Sequence, residues 1–396
     1  MKNSFKLQIL SVVLLFISGG CSTQWTKAIQ RGKISSEAFH ENVSVEIQKK
    51  LILVPVTIRG KQYRFLFDTG APFSISSYLQ KEYGFKKVSS GSIRDSDHNR
   101  QKVDWVQVDS VSIGSVAFVN QTAFVADFEA NPVISCLGID GIIGSNLIRH
   151  CNWTIDQEQK LLTFDSNIDA LALKESVSIP FETDHQYNIF IDVNLGQARV
   201  KNLLLDYGSN GSVALNKEVF ATLKEHAVLG NTFKEKGIQQ TGIIGESVVL
   251  SREITWSDSL RIGHLNPENV LLKTGKTDLI GNDFLSRFRV TIDWENKRLY
   301  LSETGTQQAI SGSFGFRIGT SPKNGIYIQS VTENSPAHKK GIEPNMKVTK
   351  VDNLDFEKDH DFCDYMSYEP GDTVFLEVVD AEGKKREFRI EKAVLK

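Results

Sequence analysis

An excess of charge of either sign is missing from this chain. Its 46 Lys and Arg face 48 Asp and Glu, a formal net charge of −2 over 396 residues. That balance argues against a nucleic-acid partner or a polybasic membrane surface. Metal-ligand spacing is missing as well. The eight histidines are scattered, with no HExxH and no pair at zinc-ligand spacing, so no metal and no other cofactor is expected. Thr274-Gly275-Lys276-Thr277 ends like a phosphate-binding loop, but position 270 is Val where that motif needs glycine. No Gly-x-Ser-x-Gly elbow anchors a serine nucleophile. The longest apolar stretch, Ile9 to Ile17, is too short to span a bilayer. Cysteine is scarce, at four residues. Beyond Cys21, the odd set Cys136, Cys151 and Cys363 argues against a disulfide framework. A Cys136–Cys151 bridge stays open, and buried free thiols are the favoured reading.

At the N-terminus, Lys2 and Lys6 precede the apolar stretch, and Ser18-Gly19-Gly20 lead into Cys21. This resembles a bacterial lipoprotein signal, although Ser18 stands where that signal usually has leucine. The resemblance implies that residues 1–20 are removed and Cys21 is lipidated. The chain would then be exported, facing the periplasm and touching the membrane through a lipid anchor, with 21–45 as a tether.

What is present is a pattern written twice. Phe65-Leu66-Phe67-Asp68-Thr69-Gly70-Ala71 returns as Leu203-Leu204-Leu205-Asp206-Tyr207-Gly208-Ser209, each an apolar strand delivering a carboxylate onto a glycine turn. Ile142-Ile143-Gly144 returns as Leu279-Ile280-Gly281, and Thr154-Ile155-Asp156 as Thr291-Ile292-Asp293. Asp206 lies 138 positions after Asp68, Gly281 lies 137 after Gly144, and Thr291 lies 137 after Thr154. A near-constant offset at three landmarks indicates tandem duplication. Leu51 to Ile58, Gln62 to Phe67, Val103 to Ile113 and Leu161 to Phe164 read as strands. Short helices are expected only after the two apolar-apolar-Gly motifs and over Ser77–Tyr83. Many short strands with regular turns indicate a closed or sandwiched, mainly β fold.

Each half resembles a retropepsin-like aspartic peptidase lobe. The resemblance implies a bilobed β-barrel fold in which Asp68 and Asp206 share one proton and activate a water against a peptide carbonyl. The turns Thr69-Gly70-Ala71 and Tyr207-Gly208-Ser209 would hold the dyad, braced by Ile142-Ile143-Gly144 and Leu279-Ile280-Gly281. In that family the hydroxyl after each aspartate reaches across the axis. Thr69 can do so, whereas the Tyr207 phenol is too long for that short bond. Three readings follow: a single-chain dyad with Tyr207 repacked, a homodimer using Asp68 only, or a non-catalytic binding scaffold. Hairpins at Ser89 to Asn99 and Gly237 to Gly245 are candidate flaps.

Residues 312–394 resemble a PDZ domain of the bacterial peptidase type, on Phe314-Gly315-Phe316, Gly325 to Val331, Asn334-Ser335-Pro336-Ala337 and Gly341 to Val348. This implies capture of a C-terminal or internal strand beside Arg317 and Ile318, with a terminal carboxylate in the backbone nest at Phe314-Gly315-Phe316. The expected organisation is therefore a signal at 1–20, a tether at 21–45, a first lobe at 46–165 and a linker at 166–184. A second lobe at 185–305 and the PDZ domain complete it.

Overall fold

The computed structural model describes residues 24–168, 173–240, 242–245, 247–304 and 312–395. The signal segment and Cys21 lie outside these residues. The described chain is mostly strand, in two duplicated lobes and a C-terminal domain.

In the first lobe the apolar strand Leu51–Ile58 turns back through Arg59 and Gly60, both with positive φ, into Lys61–Phe67. Such a two-residue turn matches the strand twist and fixes the register. The second strand pairs in parallel with Gly141–Ile143, so that Phe67 opposes Ile143 and the Asp68 N–H donates to the Ile143 carbonyl at 3.0 Å. The second lobe repeats this. Ala198–Asp206 pairs in parallel with Leu279–Gly281, with Leu205 opposite Ile280.

The lobes meet in a six-stranded sheet, whose central pair is Asn152–Asp156 against Phe288–Asp293. Thr154 opposes Thr291, its own repeat equivalent, and their hydroxyls lie 2.8 Å apart. Equivalent residues that pair with each other mark the pseudo-twofold axis.

Two expectations need correction. Part of the supposed tether is built into the fold: Lys33–Ile34 pairs with Val116–Ala126, and His40–Ser44 forms the edge of the interlobe sheet. Likewise Val177–Pro180 and Glu182–Thr183, inside the expected linker, are strands. The longest helix, Lys217–Glu225, was not expected. Asn216 caps it by accepting from the Val219 N–H, and Phe220 and Leu223 bury its inner face.

The C-terminal domain pairs Phe316–Ser321 with Gly325–Thr332, and Lys347–Val351 with Thr373–Val379. It is joined to the lobes twice. Phe233–Gln239, the outer strand of the second-lobe hairpin, pairs with Gly325–Thr332, so the lobe's sheet continues into this domain. The short helix Pro132–Leu137 of the first lobe lies against Phe362–Ser367, and a disulfide joins Cys136 to Cys363. This overturns the reading of free thiols and of a Cys136–Cys151 bridge. The true partners are 227 positions apart in different domains, so local spacing carried no signal. Among the described residues only Cys151 is free, and its burial pushes its thiol well up.

Candidate active site

Two apolar strands converge on the axis and each releases its chain into a tight turn. Asp68 is buried and Asp206 half-buried. The Gly70 N–H donates to Asp68 at 2.7 Å, and the Gly208 N–H donates to Asp206 at 2.9 Å. The turns also cross over. A side chain on Gly70 would stand 2.9 Å from the Asp206 carboxylate, and one on Gly208 only 2.2 Å from that of Asp68. Glycine is required at both positions because each backbone lies directly against the other lobe's acid.

The two carboxyl groups thus face each other across the axis. Burial pushes both above the ordinary carboxylate range, and the charge of Asp68 pushes Asp206 further. Backbone N–H groups of the turns pull the other way. Two acids this close cannot both ionise cheaply, so the pair holds a proton well above the usual aspartate range.

The hydroxyl expected to cross the axis does so from one side. Thr69 Oγ1 donates to the Leu205 carbonyl and accepts from the Tyr207 N–H at 3.1 Å. Tyr207 crosses in the opposite direction with its ring. It is fully buried, edge-on to Phe67 at 5.6 Å, and Phe67 in turn packs on Trp153. Its hydroxyl has no hydrogen-bond partner. The second turn is held instead from behind, where the Asn282 amide donates to the Tyr207 carbonyl at 2.7 Å. Asn146 acts similarly in the first lobe, accepting from the Phe73 N–H at 2.7 Å. These two asparagines were missed by sequence reasoning, although each follows its apolar-apolar-Gly motif closely.

The bracing motifs lie behind the turns. Gly144 faces the Ala71 and Pro72 backbone and Gly281 faces the Ser209 and Gly211 carbonyls, so closely that no side chain fits at either. Ser209 directs its hydroxyl away from the dyad and accepts from the Gly211 N–H at 3.3 Å.

The two hairpins meet at their tips. The Gly242 N–H donates to the Asp97 carboxylate at 2.9 Å, and Asn131 donates to the Gly242 carbonyl at 2.8 Å. Ile93 and Ile243, one from each hairpin, pack on the same apolar cluster as Ala71 of the first turn.

In the C-terminal domain, Phe316–Ser321 has no strand on its outer edge among the described residues. Gly315 has φ +82°, and its N–H is bonded to Ser313 Oγ at 3.0 Å. Arg317 keeps its backbone on that free edge while its side chain turns to the second lobe. Its guanidinium pairs with Glu235 of the second lobe, leaving only its backbone for a peptide. Phe314 and Phe316 pack on the domain core, together with Val133 and Cys136 of the first lobe.

Residues 54–147 match the aspartyl protease family, and residues 311–391 match the PDZ domain family. The chain thus carries an aspartyl protease domain followed by a PDZ domain. The protease match covers most of the first lobe, and the second is tied to it by the internal repeat. No curated protein matches the chain.

Proposed function

We propose that the chain is an aspartic endopeptidase in which Asp68 and Asp206 act as one dyad. The observation that carries this reading is the crossed arrangement of the turns, with each acid seated against the opposite glycine. One carboxylate polarises a water, which attacks the peptide carbonyl, while the protonated partner donates to the developing oxyanion and then to the leaving nitrogen. Because Asp206 of the same chain occupies the place opposite Asp68, no second copy is needed. The free edge of Phe316–Ser321 supports peptide capture by strand addition. A disulfide between domains supports export to an oxidising compartment, with Cys21 as the lipid-bearing residue.

The test is cleavage of a peptide library by the full chain, with and without a statine-type inhibitor. Asp68→Asn and Asp206→Asn should each lower turnover by at least about a thousandfold, the scale expected for groups acting as a unit. Since both acids are pushed up, activity should be greatest at mildly acidic to neutral pH. Full activity in Asp206→Asn would overturn the reading.

A further inference from the structure

The two lobes are equivalent in backbone but differ sharply on the wall beside the dyad. In the first lobe Phe124 pairs with Trp105 on one side and Ser74 on the other. In the second lobe Lys273 pairs with Ile254 and Ala214. Both pairings place Lys273 where the first lobe has Phe124. Phe124 belongs to an apolar cluster with Trp105, Ile142 and Leu66, against which Ala71 of the catalytic turn and Ile93 and Ile243 of the hairpins pack. That position therefore stands in the packed layer that the catalytic turn and the two hairpins share.

The second lobe has rebuilt its turn around the lysine. Between the aspartate and the helix cap it carries two residues more than the first: Ser76 caps 8 positions after Asp68, whereas Asn216 caps 10 after Asp206. The extra length falls at Asn210-Gly211, and a side chain on Gly211 would stand 2.5 Å from Lys273 Nζ. The glycine leaves room for the ammonium beside the active turn. Lys273 is half-buried, and its Nζ makes no hydrogen bond or ion pair with any described residue.

The surrounding charge leaves that ammonium uncompensated. The nearest acids are already engaged: Glu235 pairs with both Arg252 and Arg317, and Asp283 pairs with Lys50. Burial, and after it the charges of Arg252 and Arg317, lower the lysine to about 7 against the opposing pull of Glu235 and Asp283. A desolvated cation with no partner beside a catalytic turn is costly unless an anion arrives to meet it.

We infer that Lys273 is a specificity-determining residue: it receives an Asp or Glu side chain of the substrate on the second-lobe side, while the first-lobe wall takes an apolar one. This inference rests on the peptidase reading for its substrate, but its recognition step can be measured without turnover. The probes are two peptide arrays of one core sequence, in which Glu is walked through the positions flanking a central bond and Gln replaces it in the second array. A charge-assisted hydrogen bond corresponds to about 10- to 100-fold. At one or two positions on one side of the bond, wild type should prefer Glu by that factor in kcat/KM. Lys273→Met should level the pair while still cleaving the Gln peptide, and Lys273→Arg should restore the preference and show that the site folds.

A parallel measurement uses the same pairs with a reduced, uncleavable central amide, titrated calorimetrically into the full chain. Glu preference in binding without cleavage of any peptide would keep the inference and defeat the peptidase reading. Cleavage with Glu and Gln treated alike, or a preference that survives in Lys273→Met, would overturn the inference and leave the peptidase reading standing.

Discussion

The two lobes began as copies, and the difference between them is a division of labour. The first keeps Thr69, whose single hydroxyl makes both cross-axis hydrogen bonds. The second has surrendered its hydroxyl and sends an aromatic ring into its neighbour's core. The flanking walls diverge in parallel, apolar around Trp105 and Phe124 and ionic around Lys273, Arg252 and Glu235. The hairpins diverge too. The outer strand of the first, Lys86–Arg94, has no further strand partner among the described residues, whereas that of the second pairs with the PDZ domain. A symmetric grip is therefore not the only way to hold two aspartates together. One hydrogen-bonded turn can be matched by one that is packed, provided the glycines remain.

The largest effect expected from breaking this comparison comes from restoring symmetry. Tyr207→Thr supplies the hydroxyl that the first lobe has, but it removes a fully buried ring between Phe67 and the core. Large-to-small changes of this kind cost about 3–5 kcal/mol, of which a regained hydrogen bond returns about 1. The variant should be less stable by about 2–4 kcal/mol in denaturant melts. A gain in stability would show that the ring is not holding the turn.

Much of this architecture could be read from the chain because the dyad strands obey a local rule. Apolar residues running into Asp-x-Gly, and later into a second apolar-apolar-Gly, specify both a strand and the piece that braces it. Thr154 and Thr291 marked the duplication by their near-constant offset, 137 positions against 138 for the aspartates. What could not be read depends on register or on distant pairing. Lys273 stands out only once it is known to replace Phe124, and connections of unequal length hide that equivalence, since Lys273 lies 67 positions after Asp206 and Phe124 only 56 after Asp68. Cys136 and Cys363 meet through tertiary docking alone. The helix Lys217–Glu225 was hidden by Val219 and Phe220, which favour strands, although the capping asparagine was in view.

A smaller effect sharpens the comparison at the hairpins. Burial alone would raise Glu235, but Arg317 and Arg252 and a hydrogen bond from Ser330 outweigh it and hold the acid at about 2, against 4.5 for a free glutamate. A depressed acid stabilises the fold above its unfolded pKa, and that contribution is lost as pH falls through the folded value. The shift corresponds to about 3 kcal/mol of folding stability, shared between Arg252 of the second lobe and Arg317 and Ser330 of the PDZ domain, present above pH 4.5 and lost towards pH 2. Melts of wild type and Glu235→Gln should therefore differ at neutral pH and converge in acid. The depressed acid of the first-lobe hairpin, Asp104, is exposed beside Lys87 rather than buried between two arginines, so equal acid sensitivity of both hairpins by hydrogen exchange would contradict this account.

The last comparison rests on a single atom in each turn. The Tyr207 hydroxyl is buried without a partner, whereas the Thr69 hydroxyl has two. Removing an unsatisfied buried hydroxyl relieves its desolvation cost, and removing a satisfied one strands its partners. Tyr207→Phe keeps the ring against Phe67 and should leave stability within about 1 kcal/mol of wild type, on the favourable side. Thr69→Val is similar in shape but leaves the Leu205 carbonyl and the Tyr207 N–H unpaired, and should cost about 2–4 kcal/mol. The prediction concerns the ordering of the two in one set of melts. If Tyr207→Phe proved the more damaging, the phenol would be holding the axis through its oxygen, and the packed turn would have to be described as a hydrogen-bonded one.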